Sequence, residues 1–376
     1  MKRINSILLS ALCVMTSIIM VGCKDSGRTL TSATGSIYEC LVVMNSKALT
    51  QDELNLVATK SLVNEASGYS EPISTTYDLV KAVMAADMPA MPQMEPYFHL
   101  TQVNMSFFDD VLKPTRNILI VDIDPMKYTQ TKAKVATDNW SKPQALCRVQ
   151  SPSQEEFVAY WLENGEGIRE WFVNQELKRQ SSFYKGGSNR DARAKLEKYR
   201  YDMLIPSDFM LVKDTTVFIE SKKSNVESQQ EKVHVVWCCN NKGPMRRDLI
   251  VYSYPYTDVN AFNLEQLNAK RDAVLSQLVS GSVEGSYMGT EYKIMPPQMR
   301  TILVQDSAQA YEIRGLWRIQ NGEAMGGPYV SHTRLDHVNG RVVTAETFIY
   351  AAGQKKRNAL RQAEAALYTL HLPEDK

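Results

Sequence analysis

The chain has 376 residues, with 43 Lys plus Arg set against 42 Asp plus Glu, and 44% of its residues are hydrophobic. This near-neutral balance gives no global field for nucleic acid, so no nucleic-acid partner is expected. Beyond the first residues no apolar window reaches the roughly 20 residues of a membrane span. About 350 residues remain after the leader, enough for one large or two medium domains.

Lys2 and Arg3 give a short positive start, and Ile7 to Val21 follows as an almost unbroken apolar run without charge. That is the build of a signal peptide, residues 1–22, too short for a spanning helix. It ends in Met20-Val21-Gly22-Cys23, which resembles the bacterial lipobox, with Met where Leu is usual. In that motif the cysteine receives a diacylglycerol and becomes the new N-terminus. Cys23 is therefore the expected lipid attachment point and the membrane the expected partner, since two or three acyl chains hold a protein effectively permanently. Residues 23–35, rich in Ser, Thr and Gly, read as a flexible tether. The expected location is the cell envelope, most specifically the outer membrane, on either its periplasmic or its surface face.

Three times the chain runs strand, helix, proline, strand. The first pass is 39–44, a helix over 77–87, Pro92, then 96–103. The second is 116–123, a long helix from Gln154, Pro206, then 209–212. The third is 248–254, a helix from Leu264, Pro296-Pro297, then 300–304. Proline marks each return to extended chain because it disfavours helix before it. Ser153 with Glu156 forms a capping box, and Asn263 with Gln266 a similar helix start closed by Gly281. After Tyr311 the pattern alternates as strands 311–320, 329–338 and 341–351, with turn signals at Asn321-Gly322 and Asn339-Gly340. Leu360, Ala363, Leu367 and Leu370 make a last amphipathic helix before Pro373. The fold class is α+β, with mixed and antiparallel sheets and packed amphipathic helices. Two subdomains are expected, 36–200 and 201–376.

Four cysteines follow the anchor. Cys238 and Cys239 adjoin in a strand-like run, so their side chains point to opposite faces and do not bond each other. With Cys40 and Cys147 they are read as buried free thiols, a disulfide to one of the latter pair being the alternative. No C-x-x-C is present.

The run 314–370, with RGLW, MGGPY, KKR and LYTL, resembles a family of Bacteroidota lipoproteins known as domain of unknown function 4837. The likeness extends forward through 91–98, 116–121 and the region around 236–241. It implies a secreted, lipid-anchored envelope protein and carries no catalytic residues across.

Candidate ligand-binding residues lie in the last sheet. Glu312, Arg314 and Arg318 share a face by period two, His332, Arg334 and Asp336 line up on the next strand, and Glu346 stands on the third. An antiparallel sheet commonly leaves one side in water, so this face is read as solvated, with a polar ligand as the functional alternative. Met325-Gly326-Gly327-Pro328 reads as a turn with positive φ, the alternative being glycines that let a ligand approach the backbone closely. Lys355, Lys356 and Arg357 place three cations at a helix start, where the dipole disfavours them, so an anion held by helix amides is a candidate occupant. The alternative is that their long side chains simply reach solvent.

No H-E-x-x-H, Cys/His cluster or G-x-S-x-G occurs, and Ser182 with Lys185 fits S-x-x-K without a K-T-G partner. Neither cofactor nor metal is expected. The leading reading is a non-enzymatic binding or accessory module with an envelope protein or a polar or anionic ligand as partner. The alternative is an envelope or glycan hydrolase drawing on His332, Asp336 and Glu346.

Overall fold

The computed structural model describes residues 19–20, 30–60, 72–221, 229–304 and 307–375. Cys23 and all of the expected leader except Ile19 and Met20 lie outside them; these two residues form a strand paired with Lys134 and Val135, which cleavage before Cys23 would remove. The fold is α+β. Two compact units divide the chain: residues up to Met88 with Pro96–Glu176, and Pro89–Glu95 with Leu177 onward.

The first unit is built on a six-stranded sheet. Its strands are β1 (Ile19–Met20), β3 (Glu39–Met44), β4 (His99–Val103), β5 (Asn117–Ile123), β6 (Lys132–Thr137) and β8 (Ala145–Ser151), in the order β1-β6-β8-β5-β3-β4. Strands β8, β5, β3 and β4, the last at the sheet edge, are mutually parallel, while β6 is antiparallel to β8. Strands buried on both faces read as continuous apolar runs rather than alternations, and ECLVVM and NILIVDI are such runs. Two helices, α1 (Gln51–Thr59) and α2 (Thr76–Met84), each begin with a capping box, from Thr50 and Thr75. The 33-residue helix α3 (Gln154–Gly186) starts where expected, with Ser153 Oγ accepting the Glu156 amide at 3.1 Å, but the Glu156 carboxylate does not complete the box and accepts from the Thr131 hydroxyl at 3.0 Å. It belongs to the first unit as far as Glu176. Trp161 on α3 donates its indole N–H to Leu79 O on α2 at 3.2 Å.

A small ladder completes the unit: β2 (Thr31–Ser32) runs parallel to β7 (Ser141–Lys142). Residues 31–34, expected within a free tether, are thus hydrogen-bonded. Ala33 N donates to Lys142 O, Thr34 N to Pro114 O, and Arg116 N to Thr34 O.

The second unit holds an eight-stranded sheet. Its strands are β9 (Met210–Ser221), β10 (Gln229–Asn240), β11 (Arg246–Pro255), β12 (Tyr287–Glu291), β13 (Gln298–Val304), β14 (Ala308–Gln320), β15 (Gly326–Asp336) and β16 (Arg341–Tyr350). The order is β12-β14-β15-β16-β11-β10-β9, with β13 also on β14, and every pairing is antiparallel. Helices α4 (Arg190–Glu197), α5 (Leu264–Leu278) and α6 (Arg357–Leu367) accompany it. Asn263 caps α5 as expected, accepting the Gln266 amide at 2.9 Å.

The threefold strand-helix-proline-strand repeat is not realised. Only the first pass closes a parallel β-α-β pair, β3 with β4. The second leaves one sheet for the other, and in the third β11 and β13 are not neighbours. Proline breaks a helix, but it does not choose the strand's partner.

Gly326 and Gly327 also differ from the expected turn, for they lie inside β15 without positive φ. A Cβ on Gly327 would stand 2.1 Å from Ile349 O, and one on Gly326 2.6 Å from Trp317 O. Close backbone approach is what requires glycine there.

Candidate functional site

The candidate residues fall on two opposite faces of the eight-stranded sheet. His332 stands opposite Glu312 on β14 and Ala345 on β16, whereas Glu346 stands opposite Ser331. A one-residue offset reverses the face. Glu346 therefore points away from Glu312, Arg314, His332 and Arg334. His332, Asp336 and Glu346 do not converge, which removes the constellation that a hydrolase reading requires.

The first face is buried, not solvated as expected. Glu312, Arg314, His332 and Arg334 are each at most 5% exposed. Helix α6 covers them with charges of its own. Arg314 donates to both Glu312 and Glu364, Arg361 donates to Glu364 at 3.0 and 3.1 Å, and Arg300 donates to Glu312 at 2.6 Å. His332 Nε2 meets Glu312 Oε2 at 3.3 Å, and its ring lies edge-on to Tyr368. Burial pushes the Glu312 carboxyl up, but Arg314, His332 and Arg300 together outweigh it and hold the group well below the usual range. Glu312, His332 and Glu364 bring potential ligand atoms within 4.8 Å of one another, a donor set suited to a metal ion. Guanidinium groups already occupy the two carboxylates, so a cation entering would meet three arginines.

The opposite face carries a second buried pair. Arg271 on α5 makes a bidentate contact with Glu346, at 2.7 to 3.0 Å, and donates to Thr290 at 2.9 Å. Its guanidinium lies 3.7 Å from the Tyr329 ring centroid. Gly315 makes room for that ring, since a Cβ there would stand 2.6 Å from it.

The remaining candidates are dispersed. Asp336 accepts from Arg341 Nε at 2.7 Å and from the Asn339 amide at 3.0 Å, closing the β15–β16 turn in which Gly340 has φ of 59°. Arg318 is exposed and pairs with Glu291 at 3.1 Å. Lys355 is exposed, while Lys356 and Arg357 are buried, so these two do not reach out to solvent. Their backbone amides donate to Glu95, at 2.7 Å from Lys356 to Oε1 and 2.9 Å from Arg357 to Oε2. The helix end does hold an anion, and it is a carboxylate of the same chain. Burial lowers the Lys356 ammonium below its ordinary value against the pull of Glu95.

All four described cysteines are free and buried. Burial pushes the Cys147 and Cys238 thiols up to about 12 and raises Cys40 further.

Arg334 leads to a feature that the sequence did not disclose. A groove of about 700 Å³ at the end of the sheet is lined by Tyr256, Phe262, Tyr311, Arg334, His337, His371 and Asp375, among others. Phe262 stacks on Tyr311 with centroids 5.1 Å apart, and Arg334 forms a two-pronged ion pair with Asp375. Aromatic faces beside fixed polar groups are the usual makeup of a small-ligand site. Tyr256, Phe262 and Tyr311 carry no motif, and only the folded chain brings them together with His371 near the C-terminus.

Comparison with known proteins adds no activity. No curated protein matches the chain. The resemblance around 314–370 widens to residues 189–369, which match Domain of unknown function (DUF4837). Residues 91–98 and 116–121, expected to share that likeness, fall instead in a match over 54–185 to Domain of unknown function (DUF8532). The chain thus carries two successive regions, each similar to a domain family of unknown function.

Proposed function

We propose that the chain is a lipid-anchored cell-envelope protein, held at the outer membrane as in Bacteroidota lipoproteins, serving as a non-enzymatic binding or accessory module. The groove at the end of the eight-stranded sheet carries this reading. It offers three aromatic rings beside Arg334, His337 and His371, with the Arg334 side chain held by Asp375. The leader and Cys23 supply the address, from the sequence alone. The groove suits a polar envelope ligand with a flat apolar face, such as a glycan or peptide fragment, because rings can stack on it while the polar rim binds its polar edge.

The test is binding of soluble envelope glycan and peptide fragments to the intact protein and to a Phe262→Ser/Tyr311→Ser variant. Retention by the first and loss by the second, without cleavage of the fragments, supports the reading. Cleavage by the intact protein, or equal binding by both, contradicts it.

A further inference from the structure

The connection from β4 to β5 departs from what a parallel sheet normally uses. Parallel strands of one sheet, here β4 and β5 on either side of β3, are joined by a crossover that covers one sheet face, usually with a helix. Residues 104–116 make this crossover with a single 3-10 turn, Met105–Phe107, and otherwise irregular chain. The strap has two apolar sides. Met105, Phe108 and Leu112 pack inward, with Trp140, onto Leu41, Val43, Ile118, Ile120 and Leu146. Phe107 and Val111 face outward and are 67% and 80% exposed. Scattered single apolar residues on a surface need no explanation. Two large ones on the outer side of one strap, above a core already filled from within, do.

The path of the N-terminal chain identifies what meets them. Thr34 donates to Pro114 O at 2.9 Å and accepts from Arg116 N at 2.8 Å, so the chain enters the unit against the end of this strap. Pro114 is three residues from Val111, at most about 11 Å of chain. Leu30 is seven residues from Cys23, at most about 25 Å when extended. A bilayer holding acyl chains on Cys23 is therefore kept within reach of Phe107 and Val111.

We propose that the 104–113 strap is a second, non-covalent membrane contact, with Phe107 and Val111 entering the interfacial region of a phospholipid surface. This rests on the lipid attachment at Cys23 for where the bilayer lies. Apolar side chains entering the boundary between headgroups and acyl chains add affinity in proportion to the area buried. Asp110 is paired with Lys113 at 2.6 Å, which lowers the cost of bringing that carboxylate toward lipid.

An environment-sensitive dye tests it. Phe107→Cys, Val111→Cys and, as a control, the 92% exposed Met126→Cys are labelled singly in the full exported chain, with and without Cys23→Ser. Vesicles of phosphatidylethanolamine and phosphatidylglycerol are then added, with palmitate incorporation read separately. The expected result is a blue shift and quenching by nitroxide lipids at 107 and 111 but not at 126. In the Cys23→Ser chain, a Phe107→Asp/Val111→Asp change should lower vesicle affinity by about tenfold or more. No shift at 107 and 111 in either chain overturns the proposal. So does an equal shift at 126, or a shift that appears without vesicles and grows with protein concentration, which would mean pairing between copies. A chain that takes no palmitate yet shows the shifts retains this contact and loses the anchor, so the two claims fail separately.

Discussion

Glu95 accepts the backbone amides of Lys356 and Arg357, closing the N-terminus of α6 from 261 positions earlier in the chain. Glu95 is 3% exposed, so cutting it back leaves two buried amides without the carboxylate that they donate to. Lys356, the N-cap residue, offers no side-chain cap of its own. Glu95→Ala should therefore cost about 2 kcal/mol, the loss of a cap together with buried donors left unmade. Urea unfolding of the variant against the intact protein measures it. Because Glu95 already fills the helix end, inorganic phosphate should not raise the stability of the intact protein.

Arg271 and Glu346 are buried together, at 2% and 0% side-chain exposure. Removing one partner strands the other's charge, so Arg271→Met should destabilise by about 3–5 kcal/mol. The double change Arg271→Met/Glu346→Leu should cost clearly less than Arg271→Met alone. A double-mutant cycle by denaturant titration checks both statements.

Glu312 gives the pH dependence. Its folded pKa lies well below the ordinary value because Arg314, His332 and Arg300 outweigh burial. The unfolded chain therefore binds the proton first, and Glu312's contribution is present above about pH 4.3 and lost as pH falls from there toward the folded value. Stability measured from pH 7 to pH 3 should fall along this limb. Glu312→Gln should be less stable at pH 7 and show a flatter acid slope.

The described thiols should be silent. With Cys40, Cys147, Cys238 and Cys239 buried and at least three of them strongly raised in pKa, a thiol reagent at pH 8 should modify none of the four in the native protein. All four should react in denaturant. Fewer than four would reveal a disulfide.

What the sequence made legible was local. ECLVVM at 39–44 and NILIVDI at 117–123 are strands buried on both faces, which apolar runs announce. Ser153 and Asn263 cap the helices they were expected to cap, because a cap bond spans only three residues. The candidate site was less legible. Period two correctly put Glu312 and Arg314 on one face, but alternation says nothing of what covers a face. Helix α6 covers it with Arg361 and Glu364, so polar residues that looked solvated are buried ion pairs. Whether Glu346 joins His332 depends on the register between β15 and β16, a one-residue matter that composition does not set. Glu95 gave no signal, since nothing near it in the chain marks a partner 261 residues away.

The central claim is that Cys23 is the acylated N-terminus of the mature protein. Mass spectrometry of the protein purified from membranes of the cells that make it tests this most directly. The account predicts an N-terminal peptide that begins at Cys23 and carries diacylglycerol. A peptide that retains Met20-Val21-Gly22 ahead of an unmodified Cys23 would contradict it.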